Sequence, residues 1–186
     1  MRVLLAACRA VDAMNSTIGK CVSWLLLAAV LISAGNAFMR RFFSISSNAW
    51  LEAQWYLFSA VFLLAAAWTL LSSEHVKVDL LYQQLPRKAQ LWIEILGTIF
   101  FLMPFCVITI YLSWPTVVTR YITGEVSNNT GGLVLWPVWV LIPLGFALLA
   151  IQGLSELIKR FAILRGDLPD PVAEADAEAA ALEPGV

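Results

Sequence analysis

The sequence predicts an all-α integral membrane protein: four transmembrane helices with a short interfacial helix between spans two and three. Three observations carry this. Of the 186 residues, 60% are hydrophobic and 13% charged, against about 45–50% and about 25% in soluble domains. Four apolar stretches reach the roughly 20 residues that a bilayer crossing needs. No lysine or arginine interrupts their interiors. In hydrocarbon the backbone must satisfy its own hydrogen bonds, so each stretch is read as a helix.

The spans are placed at about 21–38, 50–71, 91–113 and 134–155. They lie between an N-terminal cytoplasmic segment (1–20) and an acidic cytoplasmic tail (166–186) expected to be disordered. The first span is read as retained rather than as a cleaved signal, because its lead-in and apolar run both exceed signal-peptide lengths. Orientation follows the lysines and arginines. Arg2, Arg9, Lys20, Lys77, Arg87, Lys88, Lys159, Arg160 and Arg165 fall on one side, with only Arg40, Arg41 and Arg120 on the other. Both termini are therefore expected in the cytoplasm of a bacterial cell, with the protein in the inner membrane. The eight tryptophans sort to the span ends, as amphipathic rings do at the headgroup layer.

Prolines shape the spans. Pro104 and Pro143 each remove a backbone donor inside a helix, so kinks are expected there, while Pro137 suits a first turn. Ala29, Ser33 and Ala37 form a small-residue line that either admits a neighbouring helix or only reflects how common small residues are in membrane helices. Between spans two and three, Val78, Leu81, Tyr82 and Leu85 share one helical face, which predicts a surface helix ended by Pro86. The net charge of −1 hides an asymmetry, since residues 167–186 hold six of the 13 acidic residues and no basic one. The remaining basic residues are scattered, which argues against a nucleic-acid partner. Cys8, Cys21 and Cys106 have neither disulfide nor zinc spacing, and no metal or cofactor is expected.

Catalysis needs convergent polar groups, and the chain offers few. The one histidine, His75, cannot supply the paired axial ligands of a haem anchor. No hydrolase, metalloprotease or phosphate-loop pattern occurs, so an enzyme is not expected. Ionisable residues near the membrane are costly and therefore informative. Glu52, close to Trp50 and Trp55, stands near the outer end of span two. It reads either as a first-turn acid paired with Arg40 or Arg41 or as a contact for a partner protein. Glu94, at the inner end of span three, leaves the same two roles open. Glu156 and Arg160 are spaced as an i, i+4 surface pair. The densest polar cluster, Glu74 to Asp79, holds His75, Lys77 and Asp79. It either docks onto a partner or lipid headgroups, or caps the surface helix.

The residues alone thus describe a four-helix membrane protein without a transport site, since a self-sufficient transporter generally shows repeats or midplane polar groups. The run Trp50-Leu51-Glu52, the stretch from His75 to Leu81, and Ile142 to Phe146 with Gln152 following resemble the small permease subunit of TRAP (tripartite ATP-independent periplasmic) transporters, the DctQ type. The likeness covers roughly residues 15–165. It departs at Ala53, where the family often carries a second acid. The longer run through Gln54-Trp55-Tyr56 suggests a distinct branch, the one serving 2-oxo acid, lactate or similar organic-acid receptors. The resemblance implies a large DctM-type permease subunit as partner, driven by a sodium gradient. It also implies a periplasmic solute-binding receptor, reached indirectly or through the outer loop at Gly124, Glu125, Asn128, Asn129 and Gly131. Trp50, Glu52, Trp55, His75, Lys77, Asp79 and Glu94 are then the candidate partner contacts. The competing expectations are a membrane anchor of a redox complex and a small homo-oligomeric exporter.

Overall fold

A computed structural model describes residues 2–44, 47–72 and 85–170. Four helices carry the described chain: α1 (Arg2–Phe43), α2 (Asn48–Leu71), α3 (Arg87–Thr123) and α4 (Trp136–Arg165). All four are long and apolar enough to cross a membrane. The all-α membrane fold expected from composition is present. The surface helix expected between spans two and three lies outside the described residues, as do His75, Lys77 and Asp79.

The helices overrun the apolar windows. α1 has 42 residues, roughly 63 Å at 1.5 Å per residue, about twice the hydrocarbon thickness. The lead-in through residue 20 is therefore a helical continuation of the first span. α3 also runs past Ser113, through Pro115, to a left-handed Gly124 at φ 61°. Only glycine adopts that conformation without steric penalty, so Gly124 stops the helix. α4 closes on Gly166 (φ 78°), whose N–H bonds the Ile163 carbonyl while Asp167 bonds Ala162. Those two bonds satisfy carbonyls that the helix end leaves open.

The expected disturbance at Pro104 takes a specific form. Residues Thr98–Leu102 make a π-helical turn directly before it. Proline has no N–H, and its ring clashes with the carbonyl four residues back. One wider turn absorbs both problems without breaking the rod. Pro143 lies buried inside α4, and Pro137 occupies its first turn as the sequence suggested.

α4 packs against each of the other three helices, and α1 packs on α2. Burial follows this order. One third of the most apolar window of α4 is buried (33%), against 6–11% in the other three spans. Glycines allow the closest approaches. A Cβ on Gly145 would stand 2.7 Å from the Leu63 carbonyl oxygen, so α4 and α2 touch backbone to backbone. A Cβ on Gly19 would overlap the Trp68 side chain, so that ring packs directly on the α1 backbone. Ala29 of the small-residue line is fully buried, whereas Ala37 is exposed.

Candidate functional site

Polar side chains gather at the two ends of the bundle. At the end where α1 begins and α4 finishes, the two helices share a network centred on Asp12. Its carboxylate accepts from Gln152 Nε2 (2.9 Å), Ser155 Oγ (3.2 Å) and Lys159 Nζ (3.2 and 3.3 Å). Asn15 Nδ2 donates to Gln152 Oε1 at 2.8 Å, and Gln152 Nε2 also reaches Glu156 at 3.1 Å. Lys159 bridges Asp12 to Glu156. Asn15 and Gln152 are almost completely buried; both ends of the Gln152 amide are held by protein groups, whereas Asn15 uses its Nδ2 and leaves Oδ1 without a partner. Arg160 extends the network to α3, donating from Nε to Glu94 Oε2 at 2.6 Å.

That geometry places Glu94 and redefines a neighbour. Glu94 forms an ion pair between α3 and α4, both side chains being mostly buried. Arg160 stands 3.9 Å from Glu156, so the i, i+4 surface pair expected from spacing is subordinate to an interhelical one. Arg87, opening α3, holds Asp170 with two donors at 2.6 and 2.8 Å, the bidentate geometry that suits guanidinium and carboxylate.

At the opposite end Glu52 organises a loop. It lies in the second turn of α2, one turn beyond the first-turn position expected. Its carboxylate accepts from Ser127 Oγ, from Asn129 Nδ2 (2.7 Å) and from the Leu133 backbone N–H (2.6 Å). These groups, and neither Arg40 nor Arg41, are its partners. The loop itself is a tight hairpin. Val126 and Val134 form an isolated antiparallel bridge, Ser127 N–H bonds Leu133 O at 2.9 Å, and Leu135 N–H bonds Glu125 O at 3.0 Å. Tyr56, one turn along from Glu52, donates its hydroxyl to Val134 O at 2.8 Å. Arg120 pairs with Glu125 at 3.0 Å and lies 4.5 Å over the Trp139 ring, a cation–π contact. Trp50 and Trp55 project from the same stretch of α2 and stay exposed, Trp55 to 71%.

A carboxylate that accepts three hydrogen bonds from one loop fixes that loop's fold. Replacing Glu52 with Gln keeps its size but removes the charge and one acceptor. Backbone amides of residues 126–134 in the E52Q variant are expected to exchange hydrogen roughly ten-fold faster, read by mass spectrometry, while α4 amides stay protected.

The candidate residues therefore do not form one site. Glu52, Trp50 and Trp55 sit at one end of the bundle and Glu94 at the other. Asp12 and Asn15 were missed from sequence because they precede the apolar windows and have no local partner spacing, and Lys159 because spacing shows only its neighbour Glu156, not Asp12 on another helix. Among the described residues no group of three histidine, cysteine or acidic side chains is placed to hold a metal ion.

A family model described as tripartite ATP-independent periplasmic transporters, DctQ component, matches residues 23–163, about three quarters of the chain. The chain belongs to the DctQ family. No curated protein and no solved structure matches it. The matched region holds all of α2, α3 and most of α4, with the Glu52-bound hairpin and the Glu94–Arg160 pair inside it. Asp12 and Asn15 lie before it, so this DctQ chain ties the start of α1 to α4 with residues the family model does not cover. As a DctQ protein it is a multi-pass membrane component of a transporter.

Proposed function

We propose that this chain is the small membrane subunit of a sodium-gradient-driven TRAP transporter for organic acids. In this reading it sits in the bacterial inner membrane with both termini cytoplasmic. It scaffolds a large DctM-type permease subunit and does not carry solute itself. The observation that supports this is where the buried polar groups go. Asn15, Gln152 and Ser155 bond one another or Asp12 across α1 and α4. Thr98 and Ser113 donate to carbonyls of their own helix, Glu94 at 2.8 Å and Ile110 at 3.2 Å. Among the described residues the bundle interior thus keeps no ring of polar groups for a solute, whereas a transport site needs several near the midplane. Meanwhile Phe62, Phe101, Tyr111 and Ile122 stay more than three quarters exposed, apolar surface suited to lipid and to another membrane chain.

Partner contact is proposed for Trp50, Glu52 and Trp55 at one end of the bundle, for Glu94 at the other, and for the cluster His75, Lys77 and Asp79 that falls between α2 and α3 in the sequence. A receptor would meet the Glu52-bound hairpin. The deciding experiment is co-expression with the adjacent large membrane subunit. The two chains are expected to co-purify, and vesicles holding this chain alone to take up no solute until large subunit and receptor are added. Replacing His75, Lys77 and Asp79 together with Ala should lower co-purification while the amount in the membrane stays unchanged. Uptake by the chain alone would replace this reading with a homo-oligomeric exporter, and a haem absorbance on the purified protein with a redox anchor.

A further inference from the structure

Where the end of α1 meets the start of α2 there is a cavity of about 410 Å³ that no side chain of the described residues fills. α1 lines it with Leu31, Gly35, Asn36 and Met39, and α2 closes it with Trp50 behind Ser47. Its walls are almost wholly apolar, with Asn36 and Ser47 as the polar exceptions. From Leu31 to Arg40 the helix rises nine residues, roughly 13.5 Å, close to half of the roughly 30 Å hydrocarbon core. The groove therefore matches the depth of one leaflet.

Charge marks its upper end. Arg40 continues the helical row Ile32–Asn36, and Arg41 follows it. Both are exposed, and among the described residues neither makes an ion pair. Arg120, the other basic residue at this end, is already held by Glu125. Phe42, Phe43 and Trp50 expose their rings at the same end of the bundle, the composition of a headgroup belt. The end of α1 contributes about half a negative charge, which two guanidinium groups outweigh.

We infer that this groove is a binding site for one anionic phospholipid, with an acyl chain along Leu31, Gly35 and Met39 and the phosphate held by Arg40 and Arg41. Guanidinium groups pair strongly with phosphate oxygens, and Asn36 and Ser47 offer donors to the ester region just below. A protein side chain would fill part of the volume but would leave the arginines unanswered. The site does not depend on which membrane chain the protein assembles with.

The test is native mass spectrometry of the full chain in mild detergent, titrated with phosphatidylglycerol and, separately, phosphatidylcholine. The wild type is expected to retain one phosphatidylglycerol roughly ten-fold more firmly than phosphatidylcholine. Replacing both arginines (R40Q with R41Q) should level the two lipids. Gly35→Leu should weaken both, because a Cβ there meets no atom within 4 Å and the larger side chain grows into the groove. Leucine also favours the helix over glycine, so folding is preserved, and the arginine variants alter only exposed residues. Equal retention by G35L and wild type would overturn the site, as would an undiminished preference after both arginines are removed. So would a G35L variant that keeps its lipid but loses a co-purifying membrane protein, since the groove would then belong to that protein.

Discussion

Replacing Lys159 with Met is expected to lower stability by about 2–3 kcal/mol, measured by denaturant or thermal unfolding in detergent. Lys159 stands between two carboxylates, Asp12 on α1 and Glu156 one turn back on α4. Without its ammonium group those carboxylates share only the Gln152 amide, whose Nε2 donates to both. Breaking a fully buried pair costs about 3–5 kcal/mol, because one charge is left without compensation. The Lys159 and Asp12 side chains remain 22% and 23% exposed, so water recovers part of that cost and the expected loss is smaller. A double-mutant cycle separates this from mere loss of packing. Asp12→Asn removes the charge that Lys159 neutralises, so D12N combined with K159M should cost clearly less than the sum of the two single changes. A K159M protein as stable as the wild type would reduce the network to the roughly 0–1 kcal/mol of an exposed ion pair.

The second large effect is steric. Gly145→Ala should destabilise the bundle by about 1–2 kcal/mol in the same assay, and Gly145→Leu by more. The added Cβ would meet the Leu63 carbonyl oxygen at 2.7 Å and the Leu63 Cβ at 2.9 Å. Backbone cannot rotate away as a side-chain tip can, so α2 and α4 must separate. Overpacking of this kind costs about 1–3 kcal/mol, and alanine's better helix propensity returns up to about 1. Gly97→Ala is the control. Its Cβ would meet nothing within 4 Å, so that variant should equal or slightly exceed the wild type. If both alanine variants behave alike, the close approach of α2 and α4 is not a determinant of stability.

Much of the architecture was legible in the sequence because a bilayer imposes simple rules. Long apolar runs free of lysine and arginine must be helices in hydrocarbon, and four helices of that kind are present. Proline chemistry also read through: Pro137 starts α4, and Pro104 disturbs α3. The stretch Ile142 to Phe146 with Gln152 drew attention by resemblance, and the structure puts it at the centre of packing. Pro143 and Gln152 are buried, and Gly145 touches the α2 backbone. Sequence spacing succeeded least with the charges. An i, i+4 rule pairs Glu156 with Arg160 because it sees only one helix, yet Arg160 reaches across to Glu94. Proximity in sequence likewise suggested Arg40 or Arg41 for Glu52, whose partners lie some 80 residues later. The tryptophans expected to mark interfaces also make contacts that spacing does not foretell. Trp68 lies on Gly19, Trp139 lies under Arg120, and Trp92 meets Phe161 edge-on at 6.5 Å.

Composition, the length of each apolar run and the chemistry of the prolines were enough to read an all-α membrane protein with four spans, and the described residues hold four helices long enough for them. Those are local properties, set within one segment by the solvent around it. Only the tertiary structure decided that α1 is helical back to Arg2, that its Asp12 joins Lys159, and that Glu52 folds a hairpin from the far end of α3. Each of these depends on which helix stands beside which. Hydropathy cannot report that, because every apolar face is equally acceptable to lipid, and helix neighbours are chosen by glycine clearances and a few end-of-span charges.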